Sequence, residues 1–138
     1  MGPIKGTYRP GLIPEEDIAA SFFEELAKDL GDVDIILFET VCSVNHARGA
    51  LKGALSTNKP VWLAITISDE TEGILRSGED ISLLKDTIEE FKPEAILINC
   101  SVPEVIEAGL KKIAGFGIPF GAYANGFNII SDSLCQND

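Results

Sequence analysis

The sequence is short of positive charge. Lys and Arg number 11 against 22 Asp and Glu, a formal net charge of −11, and the basic residues form no cluster. Nucleic acid and anionic membrane surfaces are bound through such clusters, so neither is expected as a partner. Long hydrophobic runs are missing too. The longest, such as Ile35-Ile36-Leu37-Phe38, are strand-length and fall far short of the roughly 20 residues that cross a bilayer. The first residues, Met1-Gly2-Pro3-Ile4-Lys5-Gly6, carry no apolar leader, and Gly6 stands where a myristoylation signal has Ser or Thr. A soluble, cytoplasmic protein is expected. Cys42, Cys100 and Cys135 are odd in number, widely spaced and unlike a CxxC pair, which argues against a disulfide framework. His46 is the single histidine, has no ligand partner at metal spacing, and is read as a surface residue.

The chain of 138 residues is expected to fold as one domain over 1–138, with the polar stretch 127–138 as a frayed tail. The first helix is expected from Pro14-Glu15-Glu16 to about Leu30, with a stripe of Ile18, Phe22 and Leu26, and Phe23 and Leu30 beside them, facing the core and Gly31 as its stop. From there one pattern repeats: a short apolar run, a turn, an amphipathic helix. The strands are read over 33–38, 61–67, 95–98 and 119–123, apolar almost throughout, as strands covered on both faces of a parallel sheet are. Helix stripes lie between them: Val44, Ala47, Leu51 and Ala54; Ile81, Leu84, Ile88 and Phe91; Ile106, Leu110 and Ile113. Ser101-Val102-Pro103-Glu104 fits a capping box.

Such βαβ units give either a doubly wound open sheet or a barrel. The segment after the first strand, Phe38-Glu39-Thr40-Val41-Cys42-Ser43, has no glycine, which weakens the dinucleotide-binding version. The fold class expected is therefore α/β, a partial (β/α)8 barrel of about four strand–helix units. A closed barrel takes roughly 250 residues, so a chain of this length holds about half of one.

In either architecture reactive groups collect where strands end. Those ends hold Glu39-Thr40, Thr66, Asn99-Cys100 and Tyr123-Ala124-Asn125. Glu39 closes an apolar strand, where its carboxylate can take a ligand's ammonium group; a solvated strand-end acid is the plain alternative. A thiolate at Cys100 can bind zinc or act as a nucleophile, against the ordinary role of a free cysteine as a small buried hydrophobe. The nucleophile reading finds no histidine partner in the sequence. Cys42 is read as a buried thiol, within possible reach of Cys100, and Asn125-Gly126 as a loop turn.

Several stretches in order, Asp34-Ile35-Ile36-Leu37-Phe38-Glu39-Thr40, Pro60-Val61-Trp62-Leu63-Ala64-Ile65-Thr66, Ser77-Gly78-Glu79, Ile98-Asn99-Cys100-Ser101-Val102-Pro103-Glu104 and Tyr123-Ala124-Asn125, resemble the middle of a homocysteine S-methyltransferase. The resemblance implies a (β/α)8 barrel, of which this chain corresponds to strands four to seven. It further implies zinc held by three thiolates, with Cys100 at the first ligand position. Glu39 matches the acid that holds the homocysteine amino group, next to Thr40, and Asn99, Tyr123 and Asn125 match pocket-lining positions. The complete enzyme passes a methyl group to the homocysteine thiol and releases methionine. The Gly-Gly-Cys-Cys element that supplies the other two ligands is not in this sequence, and Cys135 is solitary. Residues 2–6 faintly resemble the loop after the family's third strand. The chain alone is thus expected to bind no zinc, to be inactive, to take a homocysteine-like small molecule, and to form a homodimer through its open sheet edges. A non-catalytic α/β module for small-molecule binding or self-assembly is the rival reading.

Overall fold

The computed structural model describes residues 1–2 and 9–126. The expected tail, Cys135 and the segment 3–6 lie outside the described residues. Four helices and four strands alternate: α1 (Glu16–Asp29), β1 (Ile36–Val41), α2 (Val44–Ala54), β2 (Val61–Ile65), α3 (Leu84–Phe91), β3 (Ala95–Asn99), α4 (Pro103–Ile113) and β4 (Phe120–Tyr123). Short 3-10 turns precede α1 and α3 and follow α2 and α4.

The four strands form one sheet in the order β1-β2-β3-β4, and every pairing is parallel. This order decides between the two architectures left open by the pattern. A doubly wound sheet reverses direction at a switch point, whereas here each strand pairs with the next along the chain. Three right-handed crossovers between successive neighbours put α2, α3 and α4 on the same face, as in a sector of a barrel. Burial follows that asymmetry. Ile36, Phe38, Leu63, Ile65, Ile96 and Ile98 face the helices and are at most 1% exposed. On the other face Leu37, Trp62 and Leu97 are only half-buried.

The α1–α2 contact departs from expectation. Residues Ala19, Ala20, Phe23 and Ala27 are buried, while Ile18 is 64% and Phe22 44% exposed. Two glycines of α2 cause the rotation. A β-carbon on Gly49 would lie 2.6 Å from the Ala19 Cβ, and one on Gly53 2.6 Å from the Ala20 carbonyl oxygen. The helices therefore meet backbone to backbone through small side chains, Phe23 wedges in edge-on against Phe38 with ring centroids 5.1 Å apart, and the larger Ile18 and Phe22 turn outward.

His46 is likewise not on the surface. It is 1% exposed, its ring is stacked on Phe23 at 5.9 Å, and Nδ1 accepts from the Cys42 backbone N–H at 3.4 Å. The α2 N-cap explains its place: Ser43 Oγ accepts the His46 backbone N–H at 3.0 Å, fixing the first turn with the imidazole on the inner side. The box expected at Ser101 is absent too, since Val102 is the N-cap of α4. Ser101 Oγ instead accepts from the Ile67 backbone N–H at 2.9 Å and donates toward the Asn99 carbonyl at 3.0 Å.

Candidate functional site

The carboxyl ends of the strands bring Glu39, Thr40, Asn99, Cys100, Tyr123 and Asn125 to one rim of the sheet. A break in register produces the first pair: Phe38 pairs with Leu63 and Val41 with Ile65, so β1 carries one residue more than β2 and bulges at Glu39-Thr40. Thr40 takes φ 59° and Cys100 takes φ 51°. Left-handed backbone is strained for any residue with a β-carbon and most of all for a β-branched one, and such strain collects at functional sites.

Asn99 holds both strained residues. Its Oδ1 accepts the Thr40 backbone N–H at 3.1 Å and its Nδ2 donates to Thr40 Oγ1 at 3.1 Å. Thr40 Oγ1 in turn donates to Cys100 Sγ at 3.4 Å, and Asn99 Nδ2 also reaches that sulfur at 3.4 Å. Asn99 is 1% exposed, so this two-point grip is made away from water. Cys100 is half-buried, with its sulfur at the mouth.

A second cluster grips the Cys100 peptide from beneath; the sequence pointed to its strand-end Thr66 but not to Arg76 or Asp69. Arg76 donates through Nη2 to the Cys100 carbonyl at 3.0 Å and to Asp69 Oδ2 at 2.9 Å, and through Nε to Thr66 Oγ1 at 2.9 Å. Thr66 Oγ1 donates to the same carbonyl at 3.2 Å, and Asp69 Oδ1 accepts the Val102 backbone N–H at 3.0 Å. The Arg76 and Asp69 side chains are only 12% and 16% exposed. An acid and a base within one loop are the available signal, but pairing across a loop follows no fixed spacing.

Opposite this cluster, the Tyr123 hydroxyl donates to Glu39 Oε1 at 2.8 Å, reaching from β4 to β1 over the concave face. Burial first, and then the Glu39 carboxylate, push the Tyr123 phenol well above its ordinary range, so it remains a donor at neutral pH. One carboxylate oxygen is thereby fixed. Among the described residues no hydrogen bond is made to the other. Asn125 joins the rim through its backbone N–H, which donates to the Ser101 carbonyl at 2.9 Å.

The remaining described thiol is elsewhere. Cys42 is buried with Sγ 3.7 Å from His46 Nδ1, and burial raises it to about 11, which keeps it a neutral, unreactive thiol. Burial likewise lowers His46 to about 4. Among the described residues no group of three or more His, Cys, Asp and Glu is placed to hold a metal ion. Cys100 alone does not fit zinc, which takes four ligands.

Comparison with solved structures places the fold. The metallated form of the homocysteine methyltransferase MmuM from Escherichia coli superposes with TM-score 0.74 and 20% identity, over 88% of this chain and 43% of that one. Its apo form gives TM-score 0.73 and 20% identity over 91% and 48%. The chain thus spans less than half the length of these structures. No curated protein sequence matches it significantly. The family model for homocysteine S-methyltransferase matches residues 1–136, over which the resemblance carried by Glu39-Thr40 and Asn99-Cys100 extends to nearly the full length, and the chain belongs to the homocysteine S-methyltransferase family.

Proposed function

We propose that this chain carries the amino-acid-holding side of a homocysteine S-methyltransferase site and performs no methyl transfer by itself. The observation that supports this most directly is the Glu39 carboxylate at the strand mouth, with one oxygen held by Tyr123 and no hydrogen bond among the described residues to the other. An α-ammonium group is the complementary ligand for that second oxygen. The bulge that strains Thr40 sets the direction of Glu39, and Asn99 fixes the bulge while directing two donors at the Cys100 sulfur. A bound homocysteine would lie with its amino group on Glu39 and its thiol toward Cys100.

In this reading Cys100 is one ligand of a zinc centre whose other ligands come from outside the described residues; zinc there would keep the substrate sulfur as thiolate. The chain spans less than half of the solved structures it matches, and in this reading the methyl-donor side lies outside the described residues. A site built on a free thiol fits the reducing cytoplasm, and no helix among the described residues is long and apolar enough to cross a membrane.

Calorimetric titration with L-homocysteine tests the reading. Weak binding is expected, reduced at least tenfold in Glu39→Gln, with no methionine formed from homocysteine and S-methylmethionine whether or not zinc is added. Homocysteine binding that ignores Glu39→Gln, or none at all, would leave the non-catalytic module as the better description. Methionine formation by the isolated chain would refute the half-site reading.

A further inference from the structure

We propose that two copies of this chain close one eight-stranded parallel barrel, β4 of each pairing with β1 of the other and α1 of each lying over the joint. The inference rests on reading the chain as a half barrel, and not on homocysteine as its ligand.

Three observations converge on a second copy as the occupant of the open edges. The first is curvature. In a flat sheet β1 and β4 stand three strand spacings apart, about 14 Å, with side chains parallel to one another. Here Tyr123 on β4 and Glu39 on β1 meet at 2.8 Å across the concave face. A sheet bent this far closes with few further strands, eight being the number whose interior side chains just fill. The described residues supply four, all pointing the same way, and a two-fold axis along the barrel keeps all eight parallel while repeating one β4–β1 joint twice.

The second observation is the state of the β1 edge. The Met1 ammonium donates to the Leu37 carbonyl, and the Glu39 backbone N–H donates to the Met1 carbonyl at 2.9 Å. Those two bonds are the pattern of a parallel bridge opposite Phe38. The outer edge of β1 therefore presents its peptide groups at the spacing a parallel strand requires. Among the described residues Met1 alone covers that edge, at that one position, and in the dimer the partner's β4 takes its place.

Third, the helices and apolar patches are complementary. The connecting helices α2, α3 and α4 serve the three joints within the chain, and α1, which precedes β1, is left to serve the fourth. Its outer stripe is apolar, Ile18 being 64% and Phe22 44% exposed, and Ile35 ahead of β1 is 42% exposed. At the opposite edge Phe120 on β4 is 49% exposed on the helix-facing side of the sheet, with no described helix after it to cover it. Each edge bears the surface that the other lacks. Opposing this, two copies of net charge −11 repel one another.

Sedimentation equilibrium of the full chain across 1–50 μM tests the proposal. The expected mass is twice 14.8 kDa, with association strengthening as salt is raised from 0.05 to 0.5 M, because screening removes the repulsion. Phe22→Glu and Phe120→Glu, on the two sides of the joint, should each give a monomer of unchanged circular dichroism. Leu83→Glu, a 58% exposed apolar position in the turn before α3, should leave the dimer intact. A folded parent monomer overturns the proposal, as does a dimer that survives Phe22→Glu or Phe120→Glu or is broken by Leu83→Glu. A monomer that binds homocysteine through Glu39 would sink this inference and leave the functional reading standing; a dimer indifferent to homocysteine would do the reverse.

Discussion

His46 shows how far a single residue's fate depends on its neighbours. A histidine in an amphipathic helix has no intrinsic reason to be buried; here the Ser43 cap fixes the first turn and the ring lies against Phe23, 5.9 Å away, and Cys42. Burial lowers it to about 4, while the unfolded chain protonates it near the ordinary 6.5. The folded form therefore binds fewer protons between those values, and its stability falls as pH drops from about 6.5 toward 4, by up to about tenfold in the folding constant per pH unit. Carboxylates held low by cations, such as Asp80 beside Lys112 at about 2, act only at lower pH. Urea denaturation at pH 7 and pH 5 should show this loss, and His46→Phe should remove most of it; an equal loss in the variant would assign the effect elsewhere. At this scale the strand-end residues were legible because an isolated polar residue closing an apolar run has few structural uses. The grip of Asn99 on Thr40 was not, since a bulge leaves no mark in hydrophobic pattern, and neither was Arg76, whose partners are set by the path of a loop.

Among the elements, three strands and three helices follow their apolar pattern closely, Ala47, Leu51 and Ala54 on α2, Leu84 and Ile88 on α3, and Ile113 on α4 all being buried as spaced. The first strand, expected over 33–38, instead runs Ile36–Val41 because the bulge carries it through Glu39-Thr40. On α1 the pattern misleads, because hydrophobicity ranks Ile18 and Phe22 above alanine whereas close packing selects the smaller residue. Gly53 makes this measurable. In an isolated helix Gly→Ala stabilises by roughly 1 kcal/mol. Here the added methyl would lie 2.6 Å from the Ala20 carbonyl oxygen and 2.7 Å from the Phe23 Cβ, so Gly53→Ala should instead destabilise by about 1–3 kcal/mol. A raised midpoint in urea would show that α1 can move off α2 at no cost. The misplaced stripe carries information of its own, as a sequence rule that fails in one place commonly marks a surface with another duty.

For the whole molecule, sequential parallel order makes the chain a sector of a barrel, and a sector presents only part of any centre placed on the barrel axis. Among the described thiols and imidazole, Cys100 alone is partly exposed, while His46 and Cys42 are buried. The purified chain is therefore expected to retain substoichiometric zinc after dialysis, measured by atomic absorption. Zinc at one equivalent per chain, lost in Cys100→Ser, would mean that ligands beyond the described residues complete the site.

The same sequential order sets a timetable. Each strand finds its hydrogen-bonding neighbour in the next strand to leave the ribosome, so the sheet can grow unit by unit in the direction of synthesis. The rim contacts cannot: Thr40 waits for Asn99, 59 residues later, and Glu39 for Tyr123, 84 residues later. The rim is thus the last part a nascent chain completes, and a chain stalled before β4 would have most of its core and none of its Glu39–Tyr123 contact.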